Sequence, residues 1–133
     1  MNKKRFLGFV AGYLTMNLFF HSIHAHAMGI KLESMGGRLG AVGTGIVILI
    51  LLAIFIKRVF SRSFFHGFLV SAGLFLSFDI VVFHWLFGLH QITNGPEANW
   101  LEPIFVVCGT ITMFFGIRKE WKIETGRDNI ISQ

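Results

Sequence analysis

Cysteine, proline and acidic side chains are all scarce in this chain: one Cys, two Pro and seven Asp or Glu among 133 residues. With Cys108 alone, no intrachain disulfide and no Cys-based zinc site can be drawn. Only 14% of the residues are charged and 53% are hydrophobic, which excludes disorder and lies far from an ordinary soluble composition. No segment has the spacing of a phosphate-cradling glycine loop or a nucleophile elbow, so no enzyme class is assigned and the reading leans away from an enzyme. The formal charge of +5 is not read as nucleic-acid binding, because basic residues in a membrane protein report topology.

What the chain has instead is sixteen Phe and four long apolar stretches. Crossing ~30 Å of hydrocarbon takes ~20 such residues, so each stretch is long enough to span. The first covers residues 6–27, after Lys3, Lys4 and Arg5. The second, 39–56, carries no charge and stops at Lys57 and Arg58. The third, 64–89, is interrupted by Asp79 and His84. Asn94-Gly95 and Gly95-Pro96 mark a loop over 91–99. The fourth, 100–117, opens on Trp100 as an interfacial anchor and tolerates Pro103 in its first turn. The expected architecture is all-α: one domain, residues 1–133, forming an integral four-helix bundle in a lipid bilayer. The tail, 118–133, adds at most a further turn anchored by Trp121.

Basic residues set the orientation. Lys3, Lys4, Arg5, Lys57, Arg58, Arg62, Arg118, Lys119, Lys122 and Arg127 fall on one side, Lys31 and Arg38 on the other. Cytoplasmic loops carry the excess, so both termini are expected in the cytoplasm of a multi-pass protein of the bacterial cytoplasmic membrane. Lys-Lys-Arg, an apolar run and Ala25-His26-Ala27 also have the layout of a cleaved signal peptide, which would leave three helices. The length of the run, and His21, His24 and His26 just before the cut, favour a retained helix.

That topology gathers His21, His24 and His26 at the outer end of the first helix and His84 and His90 near the outer end of the third. His66, at the opposite end, reads as an interface residue. His21 and His24 are about 60° apart and can share a neighbour, whereas His26 is about 200° from His24. Asp79 sits near the midplane, where a carboxylate costs about 2.5 to 3.5 kcal/mol, so it is expected to face the interior and to handle protons or form a buried polar contact. Its expected partner is Asn17, at similar depth on the first helix. Continuous helix would put Asp79 ~16 Å beneath His90 and His84 about 140° away, too dispersed for one compact metal triad. Gly36, Gly40 and Thr44, with Ala41 and Gly45, form a small-x-x-x-small pattern that predicts tight packing of the second helix.

Gly73-Leu74-Phe75, Asp79, Val81, Val82, His84, Gly88, Leu89 and His90, followed by Trp100 and Glu102, resemble an uncharacterised family of small bacterial four-helix membrane proteins with an acid-x4-His-x5-His motif. The likeness covers about forty residues, Gly73 to Gly109. Trp85 and Gln91 stand where that family often has further histidines, and the acid of its first-helix Asp-Gly-x-x-x-His motif is absent. The resemblance implies four spans and an outer histidine layer, and supplies no reaction. The leading expectation for function is a transition metal or haem held by His21, His24, His84 and His90, with Glu97 or Glu102 nearby, in an accessory or assembly factor of a membrane redox complex. Imidazoles without thiols suit copper, iron and zinc. A small proton-coupled transporter or channel using Asp79 and a structural accessory subunit or homo-oligomer are the alternatives. A histidine-box lipid oxidase would need more histidines.

Overall fold

Each helix start is written locally. Asn2 caps the first helix, its Oδ1 accepting from the Lys4 N–H at 3.0 Å; Ser34 and Ser61 cap the next two through Gly37 and Phe64, at 3.0 and 3.3 Å. The computed structural model describes residues 2–24 and 33–131, with backbone alone for residues 23, 24 and 128–131. Helix α1 runs Lys3–Leu18 and continues as a π-helical segment, Phe19–His24. Helix α2 runs Met35–Val59, and Lys57 and Arg58 in its last turn complement the helix dipole. Residues 60 and 61 reverse the chain into α3, Arg62–Asp79, which also passes into a π segment, Ile80–Leu86. After a loop, α4 spans Ala98–Ile131. The described residues contain no strand.

Three of these helices, Met35–Val59, Arg62–Leu86 and Ala98–Arg127, are long and apolar enough to cross a membrane. Helix α1 begins on three cations, its π continuation carries the polar His21 and Ser22, and it is not among them; the expected first span reaches into residues 25–27, which lie outside the described residues, as do His26 and Lys31. The fourth helix departs from expectation at both ends. It starts at Ala98, so Pro103 lies in its second turn, and it does not stop near residue 117 but continues without a break through the tail.

The centre of the bundle is α3, packed on α1 along one side and on α4 along the other. Glycines permit both approaches. A Cβ on Gly8 would strike the Phe64 backbone, one on Gly67 the backbones of Arg5 and Phe9, and one on Gly73 the backbones of Gly109 and Met113. The small residues of α2 do not serve this purpose. Gly36 and Gly40 meet nothing within 4 Å and Thr44 is exposed, although Gly45 is buried. The expected tight packing of α2 is therefore corrected: close approach belongs to the glycines of α1, α3 and α4, and α2 touches α3 only lightly. Gly67→Ala is expected to destabilise the bundle by about 1–3 kcal/mol through overpacking. Gly40→Ala should be neutral or stabilise by up to about 1 kcal/mol, as helix propensity alone dictates. Denaturant unfolding in detergent distinguishes the two.

Two apolar clusters fill the interior. Met16, Ile56, Phe68, Ala72 and Phe75 form one. Val42, Ile80, Ile92, Ala98, Leu101 and Phe105 form the other, and Ile92 in it ties the loop between α3 and α4 to the bundle.

Candidate functional site

Two π segments, Phe19–His24 and Ile80–Leu86, contribute residues where the polar side chains collect. A π turn closes i→i+5 bonds and so takes more residues per turn than an α turn. The five-residue step from Asp79 to His84 therefore returns toward the Asp79 face, where continued α-helix would leave the two about 140° apart. The exit from α3 is wider still, with the Phe87 N–H on the Val82 carbonyl at 3.0 Å and the Leu89 N–H on that of Phe83 at 2.9 Å. Gly88 follows at φ +60°, a left-handed conformation that favours glycine, and the chain folds back. His90 thus returns to the level of Asp79. The expected ~16 Å of depth between them is overturned, because the helix ends at Leu86 instead of continuing to residue 89.

The result is a cluster. One ligating atom from each of His21, Asp79 and His90 lies within 4.8 Å of the others. Asp79 Oδ1 is 3.8 Å from His21 Nε2, and its Oδ2 is 3.5 Å from His84 Nε2. The His90 ring stands 4.4 Å from that of His84 and 5.5 Å from that of His21, centroid to centroid. The reading that Asp79 lies too far from the outer histidines for one compact site is corrected accordingly. Its expected partner Asn17 lines the same lateral groove of about 590 Å³, along with Tyr13, Phe78 and Leu89, but the described residues contain no hydrogen bond between Asn17 and Asp79. The His24 side chain lies outside the described residues.

Glu102 organises the other side. Buried at 3% exposure, it accepts from His84 Nδ1 at 2.7 Å, Trp85 Nε1 at 2.8 Å and the Ile92 N–H at 3.0 Å. The His84 ring thus has its Nδ1 against Glu102 and its Nε2 turned toward Asp79. Trp85 was missed by the sequence reading, which saw only a histidine position without a histidine; an indole N–H is also a donor, and here it meets the same carboxylate. A cavity of about 70 Å³ remains between His21, Asp79, His84 and His90, walled by Phe20 and Phe75. Burial holds the His90 imidazole below its ordinary pKa, and the adjacent His84 adds to this.

Glu97 does not join the cluster. Its side chain is enclosed and gripped by the Arg38 guanidinium in a two-point fork, Nε to Oε1 and Nη2 to Oε2, the latter at 3.2 Å. This links the start of α2 to the loop that carries His90. Arg38 pulls the Glu97 carboxyl down to about 2 from 4.5, against the effect of its burial. A depressed folded pKa means that the contribution is complete above pH 4.5 and lost as pH falls toward 2. The stability difference between wild type and Glu97→Gln is expected to shrink across that window in unfolding measurements, and to be constant above it.

His66 is not a surface residue. It is buried at the other end of α3, its Nδ1 3.0 Å from Glu120 Oε2, while Arg5 pairs with Glu124 at 2.7 Å. The burial of Glu120 was not foreseen, because its neighbours Lys119 and Lys122 suggest a solvated tail.

Two imidazoles and a carboxylate within 4.8 Å of one another can serve as a donor set for a borderline divalent ion. Ligands at ~2.1 Å from an ion lie at most about 4.2 Å apart, so small side-chain rotations suffice to close the cluster. No curated protein and no solved structure matches the chain. Residues 35–120, which include Asp79, His84, His90 and Glu102, match the family described as predicted membrane protein (DUF2243). A chain with membrane-spanning helices, an acid-x4-His-x5-His segment and most of its length within that match belongs to this family of membrane proteins.

Proposed function

We propose that the protein holds a divalent transition-metal ion between His21, Asp79 and His90, with His84 and Glu102 behind them as positioning groups. The observation that carries this reading is the convergence of three ligating atoms from three separate elements within 4.8 Å. Convergence on a point beside a cavity of about 70 Å³ favours a bare ion over haem, whose macrocycle needs a slot. Imidazole and carboxylate donors without a thiol favour iron, copper or zinc. Such an ion suits an accessory or assembly factor of a membrane redox complex. Conduction is disfavoured by the apolar cluster of Met16, Phe68, Ala72 and Phe75, which separates this site from the His66 and Glu120 pair.

Elemental analysis of the detergent-purified protein tests the reading. Roughly one ion per chain is expected in the wild type, little in the His21→Ala, His90→Ala double variant, and a full complement in His66→Ala. Equal metal content in wild type and double variant overturns the proposal. The accompanying orientation, with both termini in the cytoplasm and the site toward the outer leaflet, rests on the basic residues. Reporter fusions at Gln133 and within residues 93–98 should lie on opposite sides of the membrane, and agreement between them would reverse it.

A further inference from the structure

Phe115, Arg118, Lys119 and Lys122 line an open surface hollow of about 250 Å³ on α4. Their spacing, i, i+3, i+4 and i+7, is one helix face, and Ile111 and Phe115, 63% and 50% exposed, continue that face as an apolar strip. Residues 100–117 contain a single charge, Glu102, and cover about 27 Å at 1.5 Å per residue. That is close to the ~30 Å of hydrocarbon, so a span beginning at Trp100 brings the three cations to headgroup level.

Among the described residues these cations have no carboxylate partner. Glu120 faces His66 and Glu124 is paired with Arg5, both on the side of α4 turned to α1 and α3. Among the described residues no carboxylate lies within ion-pair distance of Arg118, Lys119 or Lys122, and the Lys119 ammonium instead sits 5.3 Å over the Phe115 ring. Three cations clustered around one hollow, with an apolar strip leading away from it at membrane level, match a phosphate joined to an acyl chain.

We propose that this hollow binds the phosphate of an anionic phospholipid, with an acyl chain lying along Phe115 and Ile111. Arg118 supplies a forked donor to the phosphate oxygens, and Lys119 and Lys122 act as point charges on either side. The proposal is independent of the metal site.

Native mass spectrometry of the full chain in detergent, titrated with phosphatidylglycerol or phosphatidylcholine, tests it. The wild type is expected to bind the first phosphatidylglycerol about ten-fold or more tightly than phosphatidylcholine. The Arg118→Gln, Lys119→Gln, Lys122→Gln variant should lose that preference. A control, Lys57→Gln, Arg58→Gln, Lys4→Gln, removes the same charge from the same end of the bundle and should keep it within about two-fold. Equal loss in both variants means that the attraction is the general charge of that end, and overturns the proposal. Retention in the first variant, or no preference in the wild type, overturns it too. Thermal unfolding of both variants identifies any effect that comes from misfolding.

Discussion

Asp79→Ala is expected to remove metal binding, lowering affinity by more than about 100-fold, the upper end of what loss of a mere supporting group costs. Asp79 presents a carboxylate to two histidines, His21 at 3.8 Å and His84 at 3.5 Å. It also brings the negative charge that two neutral imidazoles cannot supply to a dication. Asp79→Asn keeps the shape and one oxygen donor and should fall between, about 10- to 100-fold below wild type. The folded bundle should survive both changes, since the side chain packs at the edge of a cavity and not within an apolar cluster. Titration with zinc or iron followed by calorimetry, with elemental analysis of the purified variants, measures the effect. Wild-type metal content in Asp79→Ala would remove the cluster from consideration as a metal site.

Glu102→Ala is expected to be the most destabilising single substitution at the site. Three donors, from His84, Trp85 and Ile92, end on that one carboxylate, and they come from the π segment and from the loop carrying His90. Each buried donor left without a partner costs about 1–3 kcal/mol, and breaking a buried charged network by removing one member costs about 3–5 kcal/mol. The loss has two readouts. Unfolding in denaturant should show the destabilisation, and amide exchange should rise at residues 88–92 once the loop is no longer tied to α4. Metal affinity should then fall about 10- to 100-fold although Glu102 touches no ion in the proposed site. Glu102→Gln retains an acceptor oxygen and should recover part of the stability. Unchanged exchange in the loop of Glu102→Ala would show that Ile92 packing alone holds it.

Much of the architecture was readable in order along the chain. Hydropathy adds residue by residue, so the apolar stretches and the breakers at residues 94–96 locate α2, α3, the loop and α4 without knowledge of neighbours. The cost of burying a carboxylate singled out Asp79, and the topology together with the acid-x4-His-x5-His resemblance picked out His84 and His90. Where the reading failed, it had assumed one geometry for each segment. Regular helix to residue 89 separates Asp79 from His90, and a solvated tail from residue 118 conceals the buried Glu120.

Sequence alone therefore determined that the chain makes apolar helices, roughly where they lie, and which polar residues must be accounted for in a membrane, because these follow from transfer free energies. Tertiary structure decided that the polar residues meet. The π turns at residues 80–86, the reversal at Gly88 and the anchoring of Ile92 form together with contacts from α4, in particular Glu102, which lies outside the segment it shapes. The same holds for the glycines: a small residue every four positions looks alike on α2 and on α3, and only the neighbouring backbone distinguishes a close crossing at Gly67 from open space at Gly40. Local propensities are properties of a segment, whereas the position of a side chain in a site depends on the free energy of the whole packed arrangement.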